Sequence, residues 1–315
     1  MKMIDWGSGW KLSQLCFGVL PMGPLQKDMT PEQGGELLLE SFRAGVNFID
    51  TAQSYQTYPH IRHALDRWHS GRVFVATKSG ASSYEEMDEA VREALAELNR
   101  DYIEIFHLHA ARVSPGVFQQ RRGALECLME YRDRGQIGRI GIATHSVTTI
   151  EQAALEDCID VVFALINVSG LGILDGDRKA MEEAIGKVSD AGKMLYAMKV
   201  FGGGNLIERR REALDYALSV HGIDNVAIGM VSGDELAVNL SLLDGEPDEE
   251  MMRRTGGKSK ELMIASFCAG CGKCLELCPN AALYLEEGKG QVDRDKCILC
   301  GYCAPECPEF AIRVI

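Results

Sequence analysis

The sequence predicts an α/β chain: a (β/α)8 TIM barrel followed by a small α+β domain built around cysteines. Three observations predict it. Over the first 245 residues, short apolar runs alternate with helix-period stretches, the rhythm of β/α units around a parallel sheet. Eight of the 11 cysteines lie between Cys268 and Cys307. Between the two regions runs an acidic stretch, Asp244 to Glu250, that contains Pro247, as domain boundaries do. The expected organisation is a barrel over 1–245, a linker and helix over 246–264, and the cysteine domain over 265–315.

The barrel elements follow in order. Expected strands run over Leu15–Val19, Val46–Asp50, Val73–Lys78, Tyr102–His109, Arg139–Ala143, Asp160–Ile166, Met194–Val200 and Asn225–Gly229. Pro31 followed by Glu32 opens one intervening helix, and Gly45 closes it. Tyr84 to Leu98 sets Met87, Val91, Leu95 and Leu98 on one helical face. About eight such units suit a (β/α)8 barrel. A doubly wound sheet is the alternative, weakened because no G-x-G-x-x-G follows an early strand. Residues 251–264 are expected to be helical.

Net charge is −13, from 33 Lys and Arg against 46 Asp and Glu. That argues against nucleic-acid binding, which leaves a basic footprint. No window approaches the roughly eighteen uncharged apolar residues of a membrane span, and the first residues lack the apolar core of a secretory signal. The expected location is the cytoplasm of an anaerobic or microaerobic cell, because so many thiols need reducing surroundings.

The cysteines form two runs, Cys268-x2-Cys271-x2-Cys274-x3-Cys278-Pro279 and Cys297-x2-Cys300-x2-Cys303-x3-Cys307-Pro308, offset by 29 positions. This is an internal repeat. Three close thiolates can grip one face of an iron–sulfur cube, and the fourth ligand must come from elsewhere. A disulfide framework is opposed by the absent secretory signal. Zinc sites use paired C-x2-C rather than three cysteines in a run. Gly270, Gly272 and Gly301 would let backbone N–H groups approach the cluster sulfurs. The pattern resembles bacterial two-[4Fe–4S] ferredoxins. On that resemblance Cys268, Cys271, Cys274 and Cys307 hold one cluster, and Cys278, Cys297, Cys300 and Cys303 the other. Cys16, Cys127 and Cys158 read as small buried apolar residues.

In a (β/α)8 barrel the chemistry sits at the C-terminal strand ends. Asp50, Lys78 and His109 end three successive expected strands, and Tyr55 follows on a loop. Together they form a proton-transfer set. The phenol of Tyr55 can protonate a developing alkoxide, a neighbouring Lys78 ammonium would lower its pKa, Asp50 would hold Lys78, and His109 could orient the same oxygen. His107 reads as a packed interior residue, and His145 is a weaker candidate for substrate contact. A single metal ion held by His107, His109 and His145 is an alternative use of those side chains. Lys199 would meet either a carboxylate from an adjacent strand or an anionic substrate.

Several of these segments carry a family resemblance. Phe48-Ile-Asp-Thr-Ala-Gln-Ser-Tyr55 resembles the aldo-keto reductase signature around its catalytic Asp and Tyr. Ala76-Thr-Lys78 is similar to its lysine strand, Asp101 to His109 to its histidine strand, and Gly135-Gln-Ile-Gly-Arg-Ile-Gly141 to its turn into strand five. The resemblance spans residues 12 to 240 and carries over Asp50, Tyr55, Lys78 and His109 as catalytic residues. It implies NAD(P)H as hydride donor and carbonyl/alcohol interconversion. Along that cofactor it assigns Thr144, Phe201, Gly202, Gly203, Gly229 and Asn239.

Departures from the family fall on the cofactor side. Ala143-Thr144 replace its Ser-Asn, Phe163 its Gln, and Met198 its nicotinamide-stacking aromatic. Gly229, Met230 and Glu235 stand where it carries a Lys-Ser and an Arg that hold a 2′-phosphate. Two cations fewer and one anion more disfavour that phosphate, so NADH is expected to be at least the equal of NADPH.

The expected function is an aldo-keto reductase-type oxidoreductase acting on a small carbonyl or alcohol, with electrons exchanged through two [4Fe–4S] clusters. Nicotinamide moves electron pairs and clusters single electrons, so either a redox partner protein, a flavoprotein or ferredoxin, supplies the link, or the clusters are structural or redox-sensing, or the barrel handles its substrate by single-electron chemistry without nicotinamide. The alternative is an electron-transfer or regulatory subunit of a larger redox complex, its barrel a docking or ligand-sensing body.

Overall fold

The structure, a computed structural model, describes residues 1–111, 116–256, 261–304, 306–308 and 311–314. The chain opens with an antiparallel hairpin, β1 (Met3–Asp5) and β2 (Lys11–Ser13). Eight parallel strands then close into a barrel: β3 (Leu15–Gly18), β4 (Phe48–Asp50), β5 (Phe74–Ser79), β6 (Ile103–His109), β7 (Ile137–Thr144), β8 (Val161–Leu165), β9 (Met194–Met198) and β10 (Asn225–Gly229). They neighbour one another in chain order, and β10 returns to β3.

Local chemistry starts the helices between them. Thr30 caps the helix Pro31–Arg43 by accepting from the Gln33 amide, with Pro31 preset at the first turn. Ser83 and Glu86 form the same reciprocal cap on Tyr84–Glu97. The inner helix faces and outward strand residues make one large apolar layer.

A second core fills the barrel. Cys16, Phe48, Phe74, Ala76, Ile105, Val161, Phe163 and Tyr196 meet there, and Trp10 and Leu12 of the hairpin close the lower end. Alternation along each strand then makes the next inward residues polar: Asp50 after Phe48, Lys78 after Ala76, His107 and His109 after Ile105. The barrel is thus apolar below and polar at its C-terminal mouth.

After the last barrel helix, Gly233–Leu243, comes a helix over Glu249–Gly256. Residues 257–260 of the helix expected over 251–264 lie outside the described residues, and its last three positions are corrected to strand, where pairing with 312–314 wins. β11 (Leu262–Ile264) pairs antiparallel with β14 (Ile312–Val314), so the sheet of the C-terminal module starts three residues before the expected boundary at 265. β12 (Leu283–Glu286) and β13 (Lys289–Val292) form a hairpin between the cysteine runs. No disulfide forms among the described residues, and Cys274, Cys297, Cys303 and Cys307 pack into the module's own small core.

The module is not a detached carrier on a tether. It sits on the barrel mouth. Asn205 Nδ2 donates to the Cys297 carbonyl at 2.6 Å, and Gln26 Nε2 to the Leu299 carbonyl at 3.4 Å. Gly203, at φ +73°, lies so close to Ile298 that a Cβ there would stand 1.7 Å from the Ile298 carbonyl oxygen. Gly203→Ala should therefore loosen the docking. Hydrogen exchange is expected to quicken at residues 202–205 and 297–299, with the barrel strands unchanged.

Candidate active site

Asp50, Lys78 and His109 project from the ends of β4, β5 and β6, and Tyr55 from a short 3-10 turn (Gln53–Tyr55) after β4. All four line one cavity at the mouth. Lys78 Nζ donates to Asp50 Oδ1 at 2.6 Å and to the Thr51 carbonyl at 2.7 Å. The Tyr196 hydroxyl donates to Asp50 Oδ2 at 3.0 Å. His107 Nε2 lies 2.7 Å from that hydroxyl. Because Tyr196 spends its proton on Asp50, His107 must donate from Nε2. Lys78 Nζ also stands 5.0 Å from the Tyr55 ring centre and 5.2 Å from that of Phe163, which stacks on Tyr196 at 3.9 Å.

Burial pushes the Asp50 carboxyl up and the Lys78 ammonium down, and each charge opposes the shift of the other. The expected lowering of the Tyr55 pKa by Lys78 is corrected. Burial, then Tyr302 and Asp50 beside it, push that phenol well above its usual range. Tyr55 is held as a neutral proton donor. Burial, with Lys78 nearby, keeps His107 and His109 well below the usual histidine range, so both rings are neutral.

The sequence did not point to Tyr196 or Tyr302. Tyr196 was concealed within an ordinary apolar strand, although its alternation with Met194 and Met198 turns it inward. Tyr302 comes from the other domain. Its hydroxyl lies 3.0 Å from His109 Nε2, and Tyr302 stands beside Tyr55, where it helps push that phenol up.

Of the residues assigned to a cofactor, Phe201, Gly203, Gly229 and Asn239 line the cavity, as does Glu235. Thr144 does not. Its hydroxyl turns back to donate to the Ala110 carbonyl and accepts from the Ser146 amide. Gly202 is likewise off the cavity wall, and Gly203 is the seat of Ile298. Tyr55, Lys199, Glu235 and Asn239 all line this cavity. Among the described residues no carboxylate pairs with Lys199. It is held in the left-handed region at φ 59°, and burial pushes its ammonium down, opposed by Cys300 and Cys297 beside it. His145 also lines the cavity. No three His, Cys, Asp or Glu side chains among the described residues could hold a single metal ion, the histidine trio included.

The cysteines gather around two further cavities. Cys268, Cys271, Cys274 and Cys307 line one, and Cys278, Cys297, Cys300 and Cys303 the other. Backbone amides aim at the sulfurs: Gly270 and Gly290 at Cys268, both at 3.4 Å, Ala282 at Cys278 at 3.2 Å, and Ala311 at Cys307 at 3.3 Å. Four thiols with amide donors are a set that fits an iron–sulfur cluster.

Residues 14–221 match the Aldo/keto reductase family, and residues 267–311 match the 4Fe-4S dicluster domain. The chain belongs to the aldo/keto reductase family. Its C-terminal part is a 4Fe–4S dicluster ferredoxin domain. An L-galactose dehydrogenase of Arabidopsis thaliana is 22% identical over 274 residues, covering 74% of this chain and 85% of that protein. An uncharacterized ferredoxin of Methanocaldococcus jannaschii is 47% identical over 53 residues, 16% of this chain, and the match spans only 35% of its length. For one component of an ion-translocating oxidoreductase complex of Methanosarcina acetivorans, 36% identical, the match covers 18% of this chain and 22% of that protein. Among solved structures, a putative aldo-keto reductase from Pseudomonas aeruginosa superposes with a TM-score of 0.66 at 19% identity, over 78% of this chain and 95% of that one. No helix among the described residues is long and apolar enough to cross a membrane.

The neutral histidines set a pH dependence. Below pH ~6.5 an unfolded chain takes up protons that His107 and His109 refuse in the native state, so stability falls as pH falls. The expected slope approaches about 1.4 kcal/mol per pH unit for each histidine. His107→Gln should remove one such increment, read from anaerobic urea midpoints between pH 7.5 and 5.5.

Proposed function

We propose that the chain is an oxidoreductase that interconverts a small carbonyl and its alcohol, and that its module exchanges single electrons through two [4Fe–4S] clusters. The observation that carries the reading is the meeting of Tyr55, His109 and the Asp50–Lys78 pair on one cavity. Tyr55 donates its proton to the oxygen as negative charge builds there. His109 Nε2 holds the same oxygen and aims the carbonyl carbon. Lys78, kept charged by Asp50, steadies the phenolate left on Tyr55. NAD(P)H supplies the hydride when bound. Phe201, Gly229 and Asn239 would hold it, and Glu235, with no Lys or Arg at Gly229 and Met230, favours NADH at least as much as NADPH.

In the module, Cys268, Cys271, Cys274 and Cys307 hold one cluster, and Cys278, Cys297, Cys300 and Cys303 the other. The two separate cysteine-lined cavities support this grouping. Reducing a carbonyl takes two electrons and two protons, whereas each cluster carries one electron. A flavoprotein partner would convert between hydride and single electrons. The second reading, an electron-transfer or regulatory subunit, is favoured by one observation: the module lies over the mouth with Tyr302 against Tyr55 and His109.

Tyr55→Phe separates the readings. On the enzyme reading turnover falls by roughly 10²- to 10⁴-fold while the visible absorption of the clusters is unchanged. On the subunit reading the complex works as before. Tight binding of NADPH and weak binding of NADH, by anaerobic calorimetry, would overturn the role given to Glu235. Lys199→Met tests the electrostatics. With its cation gone, one of the two cluster potentials should move negative by roughly tens of millivolts and the other stay put, by EPR-monitored redox titration.

A further inference from the structure

Tyr302 is the side chain that links the module to the barrel chemistry. It sits between Cys300 and Cys303 and lines the cavity those cysteines share with Cys278 and Cys297. It also lines the barrel cavity. Its ring meets His109 edge-on, with centres 5.9 Å apart. Its hydroxyl lies 3.0 Å from His109 Nε2, and it stands beside Tyr55.

A phenol brought into a half-buried site needs partners for its hydroxyl. The groups it meets are the two that must otherwise converge on a substrate oxygen. One oxygen cannot share that point with another. We propose that Tyr302 is a specificity-determining residue of the barrel's oxygen site, supplied by the module, and that a substrate oxygen binds by taking the place of the Tyr302 hydroxyl. This rests on the oxygen-site reading of Tyr55 and His109.

Two consequences follow from the geometry. Giving up these contacts weakens the binding of any oxygen ligand by about tenfold. And since Tyr302 is flanked by Cys300 and Cys303, its displacement alters the surroundings of that cluster alone. The far set, which includes the exposed Cys271, does not share the barrel cavity.

The test uses the cluster-loaded full chain, kept anaerobic, with acetate as probe. A carboxylate oxygen can accept from both Tyr55 and His109. Acetate should bind Tyr302→Phe about tenfold more tightly than wild type by calorimetry, and the gain should vanish in the Tyr55→Phe/Tyr302→Phe double variant. A gain of affinity cannot come from misfolding. In reduced wild type, acetate should change the EPR signal of one cluster and leave the other untouched. This second readout decides the matter even if Tyr302→Phe loses its clusters. Equal affinity in wild type and Tyr302→Phe, no acetate binding to any of the proteins, or binding to wild type with both signals unchanged would each overturn the proposal. If the affinities order as expected but no carbonyl compound is turned over, Tyr302 keeps its place and the reductase reading fails.

Discussion

The structure turns on one buried ion pair. Asp50 and Lys78 meet at 2.6 Å inside the barrel, with side chains only 6% and 2% exposed. Such a pair survives only if its remaining hydrogen-bonding capacity is filled, because the desolvation cost of two charges can exceed their attraction. Here it is filled. Lys78 has a second acceptor in the Thr51 carbonyl, and Asp50 a second donor in Tyr196. Tyr196 in turn needs His107 as its donor and Phe163 as its stacking partner. His107 occupies so much of the interior that Gly141 must lack a side chain: a Cβ there would lie 2.0 Å from Nδ1. Among the described residues His107 Nδ1 finds no hydrogen-bond partner, a cost set against holding the chain of donors in one orientation. Tyr55 and His109 stand above this network as neutral groups.

The module adds a second constraint. By lying over the mouth it lowers the exposure of Tyr55 and His109, which is why burial dominates the titration of both. It also brings Cys297 and Cys300 toward Lys199, whose left-handed backbone is the kind of local strain that persists only where surrounding contacts enforce it. The barrel and the ferredoxin domain therefore share a cavity rather than merely a chain, and the two cysteine sets are not equivalent. One borders the barrel site and the other looks outward.

Much of this was legible in the sequence. Inward alternation is written into Phe48-Ile-Asp50, Ala76-Thr-Lys78 and Ile105-Phe-His107-Leu-His109, since a strand turns every second side chain to the same face. The offset of 29 residues between cysteine runs is an equally local signal. Other features came from contacts distant in sequence. The Thr144 hydroxyl bonds Ala110 and Ser146. Gly203 meets a backbone carbonyl of the module. At Tyr55, where Lys78 was expected to lower the pKa, burial pushes the phenol up.

By itself the sequence determined the barrel, the cysteine module and the residues aimed at the mouth, because periodicity and spacing act over a few neighbouring residues, and its motifs carried the resemblance to the family. Only the tertiary structure decided how the module lies on the barrel. The Tyr302–His109 contact joins residues 193 positions apart. No local pattern encodes such a meeting. It is fixed by the packing of the segment around Gly203 against the Cys297–Cys303 loop.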